Sequence, residues 1–224
     1  MAVYRLDDEL WFPDPHYGEA DGLVAVGGDL SVDRLLLAYS NGFFPWFAYR
    51  YREEPYWYCP LDRFVIFPHD IHVSHSMRQL MRRNLYEVTF NQDFEGVIRG
   101  CAQADMRDEK LGAWLGEDMI RAYTELYHQG FAASVEVWEA GSAAGSRTLV
   151  GGLYGVSIGT GFFGESMFSL VPNASKLALI HLAQLLARHG GKLIDCQFET
   201  PHLKSMGGRH ITYEQYMEIL GGDE

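Results

Sequence analysis

The apolar positions of the chain fall into two regimes. From residue 11 to residue 60, aromatic side chains are mixed with Gly and Pro, and one helical stripe stands out: Ser31 as N-cap, Leu35, Leu36 and Tyr39 on one face, and Asn41-Gly42 as the stop. This predicts a small α+β unit that closes near the Pro60-Leu61-Asp62 turn. Beyond it the pattern is more regular. Phe64 to Phe67 is a short apolar run, and a helix is predicted from Ser74 or Ser76, the latter at capping-box spacing from Gln79. Phe94, Val97, Ile98 and Cys101 mark a second helix by their i, i+3, i+4, i+7 spacing; Met119, Tyr123 and Leu126, stopped by Gly130, mark a third.

Strands then dominate. Phe131, Ala133, Val135 and Val137 alternate with Ala132, Ser134, Glu136 and Trp138, and after a small-residue turn over 140 to 147 come two further runs, 148 to 158 and 161 to 168. Asn173 is the expected cap of a helix running through His189, Gly190-Gly191 closes it, and Lys192 to Phe198 reads as a final buried strand. There is no repeat and no low-complexity tract.

Composition narrows the class. At 224 residues, with 47% hydrophobic and 14% aromatic content, the chain can bury a proper core and is not a disordered tail. Acids stand where a signal peptide needs cations, and no 18-residue apolar stretch occurs, so a soluble, cytoplasmic protein without membrane contact is expected. Cys59, Cys101 and Cys196 lack C-x-x-C spacing and suggest neither a disulfide framework nor a thiolate metal site. The net charge of −12 repels phosphate at long range, so any nucleic acid must meet a local basic patch, while a cationic partner is favoured.

Candidate chemistry sits on the late strands. In Leu193-Ile194-Asp195-Cys196-Gln197-Phe198, alternation points Leu193, Asp195 and Gln197 one way and Ile194, Cys196 and Phe198 the other, which makes Cys196 a packing residue. Asp195 and Gln197 are either a hydrogen-bonded knot under the sheet or a reactive pair. In Phe162-Phe163-Gly164-Glu165-Ser166-Met167-Phe168 a regular strand puts Glu165 on the face of Phe163 and Met167, where a carboxylate is costly unless paired or used. Ser166 has no His at a hydrolase spacing.

The helix from His72 to Asn84 carries His75, Arg78, Arg82 and Arg83 and no acid, a credible phosphate contact in so acidic a chain. Two patterns are set aside. Gly159-Thr160-Gly161-Phe162-Phe163-Gly164 has dinucleotide-loop spacing but leads into strand residues rather than a helix N-terminus, and His69, His72 and His75 share no common face for a metal.

These segments together resemble the leucyl/phenylalanyl-tRNA–protein transferases. The resemblance is carried by Gly27-Gly28-Asp29-Leu30-Ser31, Gly42-Phe43-Phe44-Pro45-Trp46-Phe47, Ser134-Val135-Glu136-Val137-Trp138, Leu149-Val150-Gly151-Gly152-Leu153-Tyr154-Gly155, Gly164-Glu165-Ser166-Met167-Phe168, Asn173-Ala174-Ser175-Lys176 and Leu193-Ile194-Asp195-Cys196-Gln197. It implies an α+β fold: a small N-terminal domain over 1–62 and, over 63–224, a GNAT-like (acyl-CoA N-acyltransferase-like) mixed sheet with helices. It implies transfer of Leu or Phe, and weakly Met, from aminoacyl-tRNA to the α-amine of proteins beginning with Arg or Lys, marking them for degradation, with no cofactor and a monomeric enzyme.

The roles implied are Asp195, Gln197 and Glu165 in catalysis, with Glu165 and Ser166 at the reacting ester. Trp46 and Trp114 are implied near the terminal adenosine, Phe162, Phe163 and Met167 around the aminoacyl side chain, and His75, Arg78, Arg82 and Arg83 on the tRNA. His75, Ala113 and Ala133 depart from the family pattern.

An aminoacyl ester is already activated, so a positioned amine can attack it without an enzyme nucleophile. Gln197 is no base and is expected to hold the amine through its carbonyl, with Asp195 fixing the amide and either Asp195 or the ribose hydroxyl taking the proton. Two other readings stay open: an acyl-CoA-dependent N-acyltransferase, whose pyrophosphate loop is not found here, and a non-catalytic module binding tRNA or basic N-termini.

Overall fold

The structure, a computed structural model, describes residues 3–46, 54–107, 115–141 and 145–221. A first sheet is formed by β1 (Tyr4–Leu6), β2 (Leu23–Gly27), β3 (Phe44–Trp46) and β4 (Tyr56–Tyr58) in the order β1-β2-β4-β3, with β1 and β2 parallel and the other pairs antiparallel. Helix α1 (Val32–Ser40) is the stripe expected from the sequence: Ser31 Oγ accepts the Arg34 N–H, Leu35 and Tyr39 are buried, and Gly42, at φ 79°, turns the chain out of the helix.

The second sheet contains β5 (Asp62–Ile66), β6 (Tyr86–Phe90), β7 (Ala132–Ala140), β8 (Arg147–Ile158), β9 (Gly161–Ser169), β10 (Leu193–Gln197) and β11 (Arg209–Thr212), in the order β11-β5-β10-β9-β8-β7-β6. Every pair is antiparallel except β9 with β10. The helices are α2 (His75–Arg82), α3 (Phe94–Arg107), α4 (Glu117–His128), α5 (Ala174–Arg188), α6 (Pro201–Ser205) and α7 (Tyr213–Gly221). This small sheet followed by a larger mixed sheet with helices is the α+β class expected.

Both faces of the large sheet are covered. Helix α5 buries Ala178, Ile180 and Leu182 with Val135, Val137, Leu153, Phe162 and Ile194 on one face. On the other, Val97, Ile98, Met119 and Tyr123 from α3 and α4 pack with Val156 and Phe163, and this core runs on into Tyr39, Phe43 and Trp57 of the N-terminal unit. That continuity brings α1 against α4 and gives the site two kinds of wall.

Three local readings are resolved or corrected. Helix α2 is capped by Ser74, whose Oγ accepts the Met77 N–H at 3.3 Å, rather than by Ser76. Asn173 precedes α5 in a left-handed conformation, φ 71°, and makes no side-chain cap; Ser169 Oγ accepts the Ser175 N–H at 2.8 Å instead. Strand β6 goes beyond the expectation: Tyr86, Val88 and Phe90 alternate with Glu87 and Thr89 over a five-residue edge strand bounded by the left-handed Asn84 and Asn91.

Candidate active site

The site grows out of two irregular strands. The parallel pairing of β9 with β10 runs from Leu193↔Gly161 to Asp195↔Phe163 and goes no further. Just beyond, Tyr154 pairs with Ser166 and Gly155 with Gly164, which leaves Glu165 as the extra residue of a bulge. Gly155 has to be glycine opposite that bulge, because a Cβ there would lie 2.1 Å from the Phe163 carbonyl oxygen. On β10 the register shifts between Asp195 and Gln197, and Gln197 has φ 64°, a left-handed backbone that non-glycine residues seldom adopt.

Both irregularities overturn simple alternation. Glu165 shares a face with Phe163, as expected, but the bulge sends Met167 to the α5 face, so the expected Glu165–Met167 grouping is corrected. Leu193 and Asp195 against Ile194 and Cys196 hold as read. The turn at Gln197 then swings Phe198 away from the Ile194 face and onto Phe44 and Trp46, at ring centroid distances of 5.7 and 5.5 Å. Cys196 packs on the α5 side, where burial pushes its thiol up and away from reactivity.

Glu165 is held by three donors. Tyr39 O–H donates to Oε1 at 2.7 Å, Tyr123 O–H to Oε2 at 2.9 Å, and Gln197 Nε2 to Oε1 at 3.3 Å; the two phenol oxygens also touch each other. Burial raises the carboxyl pKa, the two phenol donors oppose it, and the balance lies at about 7. A carboxyl poised there exchanges a proton near neutrality.

Asp195 is arranged differently. Its carboxylate accepts Arg63 Nε at 2.9 and 3.1 Å, Arg63 Nη2 at 2.6 Å, Tyr216 O–H at 2.7 Å and the Gln197 backbone N–H at 2.8 Å. Its link to Gln197 is thus to the backbone, and the side-chain amide is held by Glu165; the expectation that Asp195 fixes the amide directly is corrected. With its lone pairs committed, Asp195 supports the left-handed turn that aims Gln197.

Two cavities meet at Glu165 and Gln197. One, of about 270 Å³, runs into the α5 core between Phe162, Met167, Leu179, Leu182 and Ile194, with Ser166 and His202 also on its wall. The other, of about 140 Å³, is lined by Phe44, Pro45, Trp46 and Phe198. Phe162 and Met167, which the resemblance implies around the aminoacyl side chain, both line the larger cavity. Phe163 does not: it lies on the opposite face, 5.1 Å from the Tyr39 ring. Trp114 lies outside the described residues.

Tyr39, Tyr123, Arg63 and Tyr216 are site residues that sequence reasoning misses, since each reads as a core or strand position and meets its partner only across the fold. His75, Arg78, Arg82 and Arg83 are exposed along and just after α2, and among the described residues none of them forms an ion pair with a carboxylate. Met77, on the opposite side of that helix, is anchored in the α5 core that also lines the larger cavity. Among the described residues no group of three His, Cys, Asp or Glu is placed to hold a metal ion, and no helix is long and apolar enough to cross a membrane.

An apolar cavity ending on a carboxyl and an amide, with no hydrogen-bonded nucleophile–base pair among the described residues, suits an acyltransferase whose donor arrives activated. Comparison with known proteins makes the class specific. The family model described as leucyl/phenylalanyl-tRNA protein transferase matches residues 65–221, and the model of its N-terminal domain matches residues 28–61. The curated leucyl/phenylalanyl-tRNA–protein transferase of Syntrophobacter fumaroxidans is 47% identical over 220 residues, 98% of this chain and 90% of that one. That of Pseudomonas fluorescens is 49% identical over 223 residues, 98% and 94% of the two chains. The chain belongs to the leucyl/phenylalanyl-tRNA–protein transferase family, and is an aminoacyltransferase. Among solved structures, a conserved protein of unknown function from Bacteroides thetaiotaomicron aligns over 80% of this chain and 62% of its own, at 10% identity and a TM-score of 0.47.

Proposed function

We propose that the protein moves Leu or Phe, and Met weakly, from aminoacyl-tRNA onto the α-amine of proteins that begin with Arg or Lys, marking them for degradation. The observation that carries this reading is the shared wall of the two cavities: Glu165 and Gln197 border both the apolar one and the aromatic one around Trp46. An aminoacyl ester placed there has its apolar side chain among Phe162, Met167, Leu179 and Leu182, its terminal base against Trp46, and its carbonyl at Glu165, Ser166 and Gln197. The exposed arginines of α2 supply the phosphate contacts that the net charge of −12 otherwise opposes.

In this reading the acceptor amine attacks the ester directly. Its reference pKa of about 7.7 to 8.0 leaves a useful neutral fraction near pH 7. Gln197 orients the amine through its carbonyl, since its Nε2 is engaged with Glu165, and Glu165 is the proton acceptor. Asp195 acts through the Gln197 backbone and takes no proton.

The test is to mix the protein with Phe-tRNA or with acetyl-CoA, plus a peptide beginning with Arg, and to follow peptide mass. A gain of Phe is expected. A gain of acetyl, or binding without a mass change, overturns the reading. In Gln197→Ala, single-turnover transfer falls by about 10²-fold or more with tRNA affinity kept; normal transfer by that variant removes Gln197 from the mechanism.

A further inference from the structure

Glu165, Tyr39 and Tyr123 close a triangle of oxygen contacts: Tyr39 to Glu165 Oε1 at 2.7 Å, Tyr123 to Glu165 Oε2 at 2.9 Å, and the two phenols to each other. Each contact needs one hydrogen, and the phenols bring two. Burial, reinforced by the Glu165 charge, pushes both phenols well above the ordinary tyrosine range, so neither is a source of phenolate. An ionised Glu165 therefore leaves one contact without a hydrogen. One proton on the carboxyl completes the set: Glu165 Oε2–H to the Tyr123 oxygen, Tyr123 O–H to the Tyr39 oxygen, Tyr39 O–H to Glu165 Oε1.

We infer that Tyr39 and Tyr123 are positioning residues that make with Glu165 a three-proton ring, and that this ring takes the proton leaving the acceptor amine and returns it to the departing ribose oxygen. The inference rests on the transfer reading above. The step balances: the acyl carbon gains a bond to nitrogen and loses its bond to the ribose oxygen, while one N–H proton passes to Glu165 and from the ring to that oxygen. The two phenol donors hold the ionised carboxyl and the closed ring holds the protonated one with every contact filled, so a proton can be taken up and given back. The carboxyl reaches the substrate because it lines both cavities.

The other groups facing Glu165 tune the ring without supplying its proton. Asp195 on β10 disfavours a second negative charge, and Arg63 on β5 favours it. Gln197 Nε2 donates to Oε1 whether or not the ring is closed. His202 on α6 borders the same cavity, where burial and then Lys176 hold it below the usual histidine range, so it stays neutral near pH 7.

Infrared difference spectra of the protein, titrated from about pH 5 to about pH 9 with Glu165→Gln as reference, test the ring. A protonated-carboxyl band that is sensitive to D₂O and disappears near pH 7 is expected in the unaltered protein. In Tyr39→Phe/Tyr123→Phe, which removes both donors to the ionised form, the band and the matching limb of the pH profile for single-turnover transfer both move to higher pH, with tRNA affinity unchanged. Glu165→Gln reproduces the closed ring with its amide; it stays folded and loses transfer by about 10²–10⁴-fold.

Absence of the band overturns the ring, and so does a limb that the double variant leaves in place. Because the band is read in the unaltered protein, misfolding of the double variant leaves that test standing. If the unaltered protein transfers Phe while the band is missing, only the ring falls; if it transfers none, the function above falls.

Discussion

Arg63 grips Asp195 through Nε and Nη2 at 2.6 to 3.1 Å, with the two side chains only 1% and 0% exposed, and Asp195 passes that hold to the Gln197 backbone at 2.8 Å. The Gln197 turn thus rests on an ion pair that links β5 to β10. Breaking one side of such a pair leaves an uncompensated buried charge, which costs about 3 to 5 kcal/mol.

Asp195→Asn is expected to lower unfolding free energy by a few kcal/mol, on that scale, when followed by chemical denaturation. Replacing both partners with apolar residues, Arg63→Met with Asp195→Leu, recovers most of the stability. It does not recover transfer, because the Gln197 N–H then has no carboxylate to hold its turn.

Gln197 sits at φ 64°, so its backbone strain is separable from its chemistry. Gln197→Gly relieves a left-handed residue and is expected to be more stable than Gln197→Ala by about 1 kcal/mol. Both variants lose transfer equally. Thermal melts and single-turnover assays on the pair check this.

Leu182 and Leu179 form part of the cavity wall that is proposed to hold the aminoacyl side chain. Leu182→Phe fills space that a Phe substrate needs more than Leu does, so the ratio of kcat/KM for Phe over Leu should fall. A small volume change in an apolar pocket is worth about 1–3 kcal/mol, which sets the expected drop at about tenfold or more. Competition between the two charged tRNAs measures it.

Arg78 and Arg82 lie on the exposed side of α2 and Arg83 just after it. Substituting each by Ala is expected to weaken tRNA binding and to reduce the slope of log affinity against log salt by about 0.7 to 0.9 for each phosphate that is no longer neutralised. Transfer at saturating tRNA remains unchanged. A salt titration with the three variants reads both the affinity and the slope.

Glu165 links pH to stability. Its carboxyl is raised by burial to about 7, so the native protein keeps a proton there that the unfolded chain has released. That stabilisation is complete at low pH, below the ordinary glutamate range, and is lost as pH rises through 7. Relative to Glu165→Gln, the unaltered protein is expected to lose about 1 to 3 kcal/mol between pH 5 and pH 8, discounted for the partial exposure of the side chain. Denaturant melts at the two pH values give the difference.

The residue pattern was enough for much of this. Alternation over 131 to 138 and the runs 148 to 158 and 161 to 168 match β7, β8 and β9 within a residue or two, and the stripe of Leu35 and Tyr39 marks α1. Those signals are local, set by a period of 2 or 3.6 against one buried face. Glu165, Asp195, Gln197, Trp46, Phe162 and Met167, singled out as polar groups on an apolar strand or as members of family motifs, all line the two cavities. Strands β1 and β11 and helices α6 and α7 were not legible, being short and lying at edges or ends where few positions repeat, while β6 carries its signal in Tyr86, Val88 and Phe90.

What the sequence determined alone is the order of the longer elements, α1, then α2 to α4, β7 to β9, α5 and β10, and the two-part α+β build. Tertiary structure decided how they are used. The bulge at Glu165 and the left-handed turn at Gln197 shift strand phase, sending Met167 and Phe198 to faces that alternation denies them. Arg63 reaches Asp195 across 132 positions of chain, and Tyr39 reaches Glu165 across 126. No periodicity encodes such distances, because they arise from how one sheet packs its two covered faces, and there Asp195 meets Arg63 and Glu165 meets two phenols.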